Sequence, residues 1–190
     1  MASAAAMTGQ EAARYTRVAV ALHWIIAVVL IGNLLLGFFH EDFGKAATPW
    51  IMFVHKASGL TVLALTLARL GWRLTHRPPV FDPVLKAWER ALATLIHWLF
   101  YLVLIAIPLS GWMLSSSGGR VTSFWGLFGV PPLPVARGKE AGALFGEAHE
   151  LLAFLAIALI LLHVAGALKH HFEGHRHLLR RMSLRGTGGR

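Results

Sequence analysis

An all-α integral membrane protein, a bundle of four spanning helices, is the fold class this chain predicts, and three observations predict it. Hydrophobic residues make up 56% of the 190 and charged residues only 14%, a departure from globular averages in the direction of membrane proteins. Four apolar runs are each long enough to cross a hydrocarbon layer, which takes about 20 residues of helix. The Lys and Arg residues stand between those runs and do not line one solvated face, so the formal net charge of +9 reads as membrane topology and not as a nucleic-acid footprint. One membrane domain over residues 1–190 is expected, with no nucleic acid among its partners.

The first span covers about 18–39. Sixteen or so mixed residues precede it and it is long enough to cross, so it reads as a retained helix and not as a signal peptide. The stretch HEDFGKAATP then breaks the run, and the second span covers about 50–72. THRPPVFDP separates it from the third, about 91–114, and a Gly- and Pro-rich connection from SSSGGR to PPLPVARGKE leads to the fourth, about 148–170. The remaining residues, 171–190, are basic and Gly-ended and read as a cytoplasmic tail with a short surface helix, its histidines His170, His171, His175 and His177 facing solvent.

Orientation follows from the basic residues in each connection. Arg14, Arg17, Arg69, Arg73, Arg77, Lys86, Arg90, Lys169, Arg176, Arg180, Arg181, Arg185 and Arg190 fall on one side, thirteen of the eighteen Lys and Arg. Lys45, Lys56, Arg120, Arg137 and Lys139, the other five, fall on the opposite side. Both termini are therefore expected in the cytoplasm. Trp24, Trp50, Trp72, Trp98 and Trp112 stand towards span ends, where an indole keeps its ring in the apolar zone and its N–H wet.

Ionisable groups at membrane depth are costly and usually have a partner and a task. His23 lies about six residues inside the cytoplasmic start of span one, and His163 about seven from the cytoplasmic end of span four. His55 lies about five residues into span two from the outer side, and His149 opens span four. Two levels emerge, each with a pair. Fourteen residues separate His149 from His163; along a helix that is about 21 Å of rise with an angular mismatch of only about 40°, so both imidazoles point to one side. Ala153, Ala156 and Ile160, mostly small, lie between them on that face, Gly166 and Ala167 flank His163, Gly59 follows His55 by four residues and Ala27 follows His23 by four. Small residues one turn from a ligand leave room for a flat macrocycle, and equally let helices approach closely.

With no cysteine in the chain, iron–sulfur clusters and haem attached through a C-x-x-C-H motif are excluded. An iron porphyrin used for electron transfer takes two axial ligands from opposite directions, and neutral histidine supplies the lone pair. Two non-covalent haems b, one held by His23 and His163 near the cytoplasm and one by His55 and His149 near the outer face, account for the four imidazoles together. Zinc or copper transport is the competing metal chemistry, but no carboxylate or Met accompanies these histidines at mid-membrane. A hydrogen-bonding interhelical contact is the plain reading of any one of them taken singly.

The elements RYTRVAVALHW, HKASGLTVLALTLARLGWR, HWLFYLVLIAIPLSGWM and AHELLAFLAIALILLHVAGALKHHF, one per span and in order, resemble the bacterial cytochrome b561 family, which is related to hydrogenase cytochrome b subunits. The resemblance implies a four-helix bundle in the bacterial inner membrane, two non-covalent haems b, and electron exchange with ubiquinone or a relative of it. It places the axial ligands on His23, His55, His149 and His163. The expected activity is relay of single electrons between an outer-side donor and the quinone. Two alternatives are a superoxide:ubiquinone oxidoreductase and a cytochrome b membrane anchor for a dehydrogenase or hydrogenase. Expected partners are membrane lipid, quinone, an outer-side donor that is superoxide or a redox protein, and a second copy of the chain in a homodimer. Lys56, Arg120, Arg137 and Lys139 make the outer side positive, a field that steers a small anion or an acidic protein.

His97 sits about six residues into span three, at the level of His23, and both are followed by Trp. By depth alone it competes with His23 as partner of His163; since the resemblance favours His23, His97 is assigned to a quinone pocket beside the inner haem, with a plain helix contact as the alternative. His170, Lys169 and Arg73 are further quinone candidates, because reduction of the head group calls for hydrogen-bond donors and a proton supply. Arg17, Arg69 and Lys56 are candidates to pair with haem propionates, with snorkelling to lipid head groups as the alternative. Pro108 is expected to kink span three, and Asn33 to make an interhelical hydrogen bond.

Overall fold

The computed structural model describes residues 14–183. Arg185 and Arg190, both counted for the cytoplasmic side, lie outside the described residues, as does the start of the chain through residue 13.

Four long helices dominate. Helix α1 (Arg17–Phe39) starts where the Thr16 hydroxyl accepts the Ala19 N–H at 3.2 Å, satisfying one of the donors a helix start leaves open. Helix α2 (Thr48–Thr75) has Pro49 in its first turn, where the missing N–H costs nothing. Helix α3 (Ala87–Ser117) opens with the Glu89 carboxylate accepting the Lys86 N–H at 2.9 Å and contains Pro108. A short antiparallel hairpin follows, β1 (Thr122–Phe124) and β2 (Phe128–Val130), with Thr122 opposite Val130 and Phe124 opposite Phe128. Its turn is closed by Trp125 and Gly126 at φ 51° and 77°, left-handed backbone that suits glycine and strains tryptophan. Helix α4 (Lys139–Phe172) begins well ahead of the apolar run, and a one-and-a-half-turn helix α5 (Arg176–Arg180) follows it. All four long helices are long and apolar enough to cross a membrane. The chain is a multi-pass membrane protein.

Helix α3 packs along α4, α1 along α2, and α2 along α3. Helices α1 and α4 meet through large side chains, Phe38 on Phe154 with ring centroids 5.3 Å apart and His23 on His163. The core joins Ile26, Leu30 and Leu34 to Val62, Leu104, Ile107 and Ala153, with a second cluster of Val103, Ala156 and Leu159. Large apolar side chains also cover the outside, Val28, Leu102, Leu151 and Leu161 among them. A soluble monomer rarely exposes so continuous an apolar surface; acyl chains solvate it.

Asn33 makes the interhelical bonds expected of it: its Nδ2 donates to the His55 carbonyl and to Ser58 Oγ, both at 2.6 Å. The segment after α4 carries the short helix α5. It folds back across the end of the bundle, where the Trp24 indole donates to the Met182 carbonyl at 2.9 Å and the Arg181 guanidinium to the Val80 carbonyl at 2.7 Å. His177 pairs with Asp82 at 3.0 Å. His170, His171 and His175 are half-buried, not fully solvent-facing, while His177 is exposed. Desolvation pushes the Asp82 carboxyl up, but the Val84 N–H, His177 and Arg181 outweigh it and hold the group below its ordinary value.

Candidate functional site

The described histidines inside the bundle gather at two levels. At one, His55 of α2 faces His149 of α4 with ring centroids 6.0 Å apart and planes at 87°. At the other, His23 of α1 faces His163 of α4 at 6.1 Å and 66°. Two metal–imidazole bonds of about 2 Å, plus ~1 Å from each ring nitrogen to its ring centre, come to about 6 Å. Both separations suit a metal held between the rings.

At the first level the backbone decides which nitrogen is presented. His55 Nδ1 lies 3.1 Å from the Asn33 carbonyl, and His149 Nδ1 lies 2.9 Å from the Ile107 carbonyl and 3.0 Å from Ser110 Oγ. A carbonyl only accepts, so each Nδ1 carries the proton and each Nε2 keeps its lone pair. This is the outer support that metal-ligating histidines require. Two glycines hold the rings from behind. A Cβ added at Gly37 would stand 2.9 Å from His55 Cε1, and one at Gly111 would stand 3.0 Å from His149 Cε1. Only glycine lets these backbones approach so closely.

The second level holds three imidazoles. His97 of α3 lies 5.7 Å from His163 at 63°, slightly nearer than His23. Phe100 packs edge-on to His163 at 5.5 Å, and Trp24 edge-on to His23 at 5.2 Å. Arg69 is within electrostatic reach of all three rings and donates to the Ala19 carbonyl at 3.3 Å. Arg73 stacks over Trp98 and Tyr101, 5.6 and 5.9 Å from their centroids, and reaches His97 electrostatically.

The remaining candidates divide by position. Arg17 is the first residue of α1 and lines a cavity of about 340 Å³ with Tyr15, Val20 and Arg181. Lys56 is half-buried and within electrostatic reach of His55 and Arg120. Gly59 abuts Asn33, whose Nδ2 would be 3.7 Å from an added Cβ. Lys169 is brought to Glu89 at 2.7 Å and Glu173 at 3.1 Å, and His170 to Glu173 at 3.4 Å, on the tail side of the bundle. Gly37, Gly111 and Ser110 are site residues that sequence reasoning missed. The signal available was position: both glycines sit in spans near the level of the His55 and His149 pair.

Among the described residues no group of three or more His, Cys, Asp or Glu side chains is assembled to hold a bare metal ion. Paired imidazoles backed by glycine instead suit a planar metal complex that brings its own equatorial nitrogens, so the residues present fit a haem.

Comparison with known proteins agrees with this chemistry. The chain is similar to cytochrome b561 homolog 2 of Escherichia coli (strain K12), 31% identical over 174 residues, which is 89% of this chain and 90% of the relative. Cytochrome b561 homolog 1 of the same organism is also 31% identical, over 89% of this chain and 96% of its own length. A protein of Yersinia pestis named probable superoxide oxidase CybB is 27% identical, over 89% and 95%. The family described as prokaryotic cytochrome b561 matches residues 14–184, a family that implies haem b binding, and with two apolar levels of facing imidazoles inside four membrane helices the chain belongs to it.

Proposed function

We propose that the protein is a di-haem b cytochrome of the bacterial inner membrane that relays single electrons between a donor at its outer face and ubiquinone or a related quinone. The observation that carries the reading is the repeat along α4: His149 faces His55 at 6.0 Å, and His163 faces His23 at 6.1 Å with His97 at 5.7 Å beside it. A haem held by the two imidazoles of each level would supply one-electron exchange there. His55 and His149 would hold the outer group and His23 and His163 the inner one. The Asn33 and Ile107 carbonyls keep the outer imidazoles in the tautomer that donates through Nε2. Gly37 and Gly111 fix ring position, and Gly59 leaves space beside α1. Arg17, Arg69 and Lys56 are the cations placed to meet propionates near the two levels.

His97 has two roles open to it by distance, and we assign it to the quinone. Beside it Arg73, held flat on Trp98 and Tyr101, offers guanidinium donors to a quinone oxygen, while His97 can deliver a proton as the head group is reduced. Lys169 and His170, tied to Glu89 and Glu173 on the tail side, would supply protons from further out.

Superoxide as the outer donor is the second reading. Lys56 and Arg120 lie within electrostatic reach of one another, and an added Cβ at Gly119, next to Arg120, would stand 4.0 Å from an Arg137 guanidinium nitrogen. Like charges gathered this way attract an anion, and one relative carries the name probable superoxide oxidase.

The test is pyridine haemochrome quantitation with reduced-minus-oxidised spectra on the purified chain. About two protohaems per chain are expected, and His149→Ala and His163→Ala should each remove a different one. Loss of both from either single substitution in folded protein, or no spectral change from either, overturns the assignment. His97→Ala should keep both haems and slow reduction by a quinol analogue; loss of the inner haem would make His97 a ligand instead.

A further inference from the structure

The connection between α3 and α4 does not stand off the bundle as a water-exposed loop. Strand β1 lies against α2, and the Trp125 indole N–H at the hairpin turn donates to Thr61 Oγ1 at 2.9 Å. Thr61 is thirteen residues from the start of α2 at Thr48 and eight from Arg69. At 1.5 Å per residue these are about 20 Å and about 12 Å along the helix. A hydrocarbon core is about 30 Å thick. The hairpin turn is therefore level with the interior of the bilayer, not with its surface.

Two further observations suit that depth. Residues 121–136 contain no charged residue and no histidine, while Arg120 and Arg137 bound the stretch. Trp125, Leu127 and Phe128 at its tip are 43, 77 and 59% exposed. Several backbone donors in this segment are also met from within the chain. Gly126 N–H donates to Ser123 Oγ and Leu127 N–H to the Phe124 carbonyl; Leu133 N–H reaches Ser116 Oγ and Val135 N–H the Leu133 carbonyl. The β1–β2 ladder pairs the strands with each other, and Pro131, Pro132 and Pro134 have no N–H to satisfy. Backbone enters hydrocarbon only when its polar groups are paired internally.

We propose that the hairpin Thr122–Val130 is a re-entrant membrane element whose exposed face, carried by Trp125, Leu127 and Phe128, is covered by lipid acyl chains. An aqueous loop would have no reason to lack charge over sixteen residues.

Because the chain has no cysteine, single-cysteine spin labelling is clean. Leu127→Cys is labelled in the full-length haem-loaded protein in phosphatidylcholine–phosphatidylglycerol vesicles, and collision with oxygen is compared with collision with a water-soluble nickel chelate. Leu161→Cys, exposed on α4, is the lipid reference, and Glu140→Cys, at the start of α4, is the water reference. Phe128→Cys provides a second reporter should Leu127→Cys lose its haem spectrum. The oxygen-to-nickel ratio should match that of Leu161→Cys. A ratio matching Glu140→Cys overturns the proposal in favour of an aqueous loop. Protection from both reagents, with dipolar broadening between labels, overturns it in favour of a contact between two copies.

Discussion

Gly37 and Gly111 show how small a change the His55 and His149 level tolerates. A methyl group at either position would meet an imidazole carbon at 2.9 or 3.0 Å, and overpacking of this kind costs about 1–3 kcal/mol. Gly37→Ala and Gly111→Ala should each lower retention of one haem, read as a fall from two towards one per chain by pyridine haemochrome, with the other spectral component unchanged. Asn33→Leu removes two bonds of 2.6 Å but leaves the backbone carbonyl that His55 uses. It should lower thermal stability by about 1 kcal/mol in detergent, since polar contacts between membrane helices average about that or less, with haem content preserved. The histidines were legible in the sequence because ionisable side chains are rare at apolar depth. The glycines were not, because glycine is frequent in membrane helices and its identity does not say what it faces.

Helix α4 and the segment behind it carry the next level of argument. The fourteen-residue interval and the 3.6-residue turn were enough to place His149 and His163 on one side of α4 before any coordinates. The fold-back of residues 175–183 was not readable, since HRHLLRRMS has no apolar period and its anchors, Asp82, Val80 and Trp24, are distant in sequence. Asp82→Asn should loosen it. Trypsin cleavage after Arg180 and Arg181 is expected to quicken several-fold while the haem spectrum stays the same. The pH dependence has a definite sign. A carboxyl held below its ordinary value contributes its full stabilisation above the ordinary pKa of about 4 and loses it as pH falls through the lower folded value. Protease resistance through Asp82 should thus persist on acidification from pH 7 to pH 5. The hairpin was also hidden: three-residue strands give no alternation to detect, and the three prolines after it read as loop.

At the scale of the whole molecule, four helices and their order came from hydropathy alone, because a bilayer admits few other solutions. Which imidazole partners which did not come fully from depth, and the geometry keeps His23 and His97 both within about 6 Å of His163. Topology is the prediction that belongs here. With no native thiol to interfere, Ala46→Cys in the α1–α2 connection should react with a membrane-impermeant maleimide on intact cells, and Val84→Cys in the α2–α3 connection only after permeabilisation. The reverse pattern would turn the molecule over and exchange the two faces assigned to donor and quinone.

The hydrogen bond from Trp24 to the Met182 carbonyl reaches beyond the tail that it anchors. Trp24 is the next residue after His23, so the Met182 carbonyl bears, through one indole, on the shoulder of an imidazole that faces His163. Trp24→Phe, which removes the indole donor, would release Met182 from that shoulder, and the absorbance of a haem held by His23 would register the change. An insertion between Glu41 and Lys45, away from that lever, would leave the colour of the protein as it is.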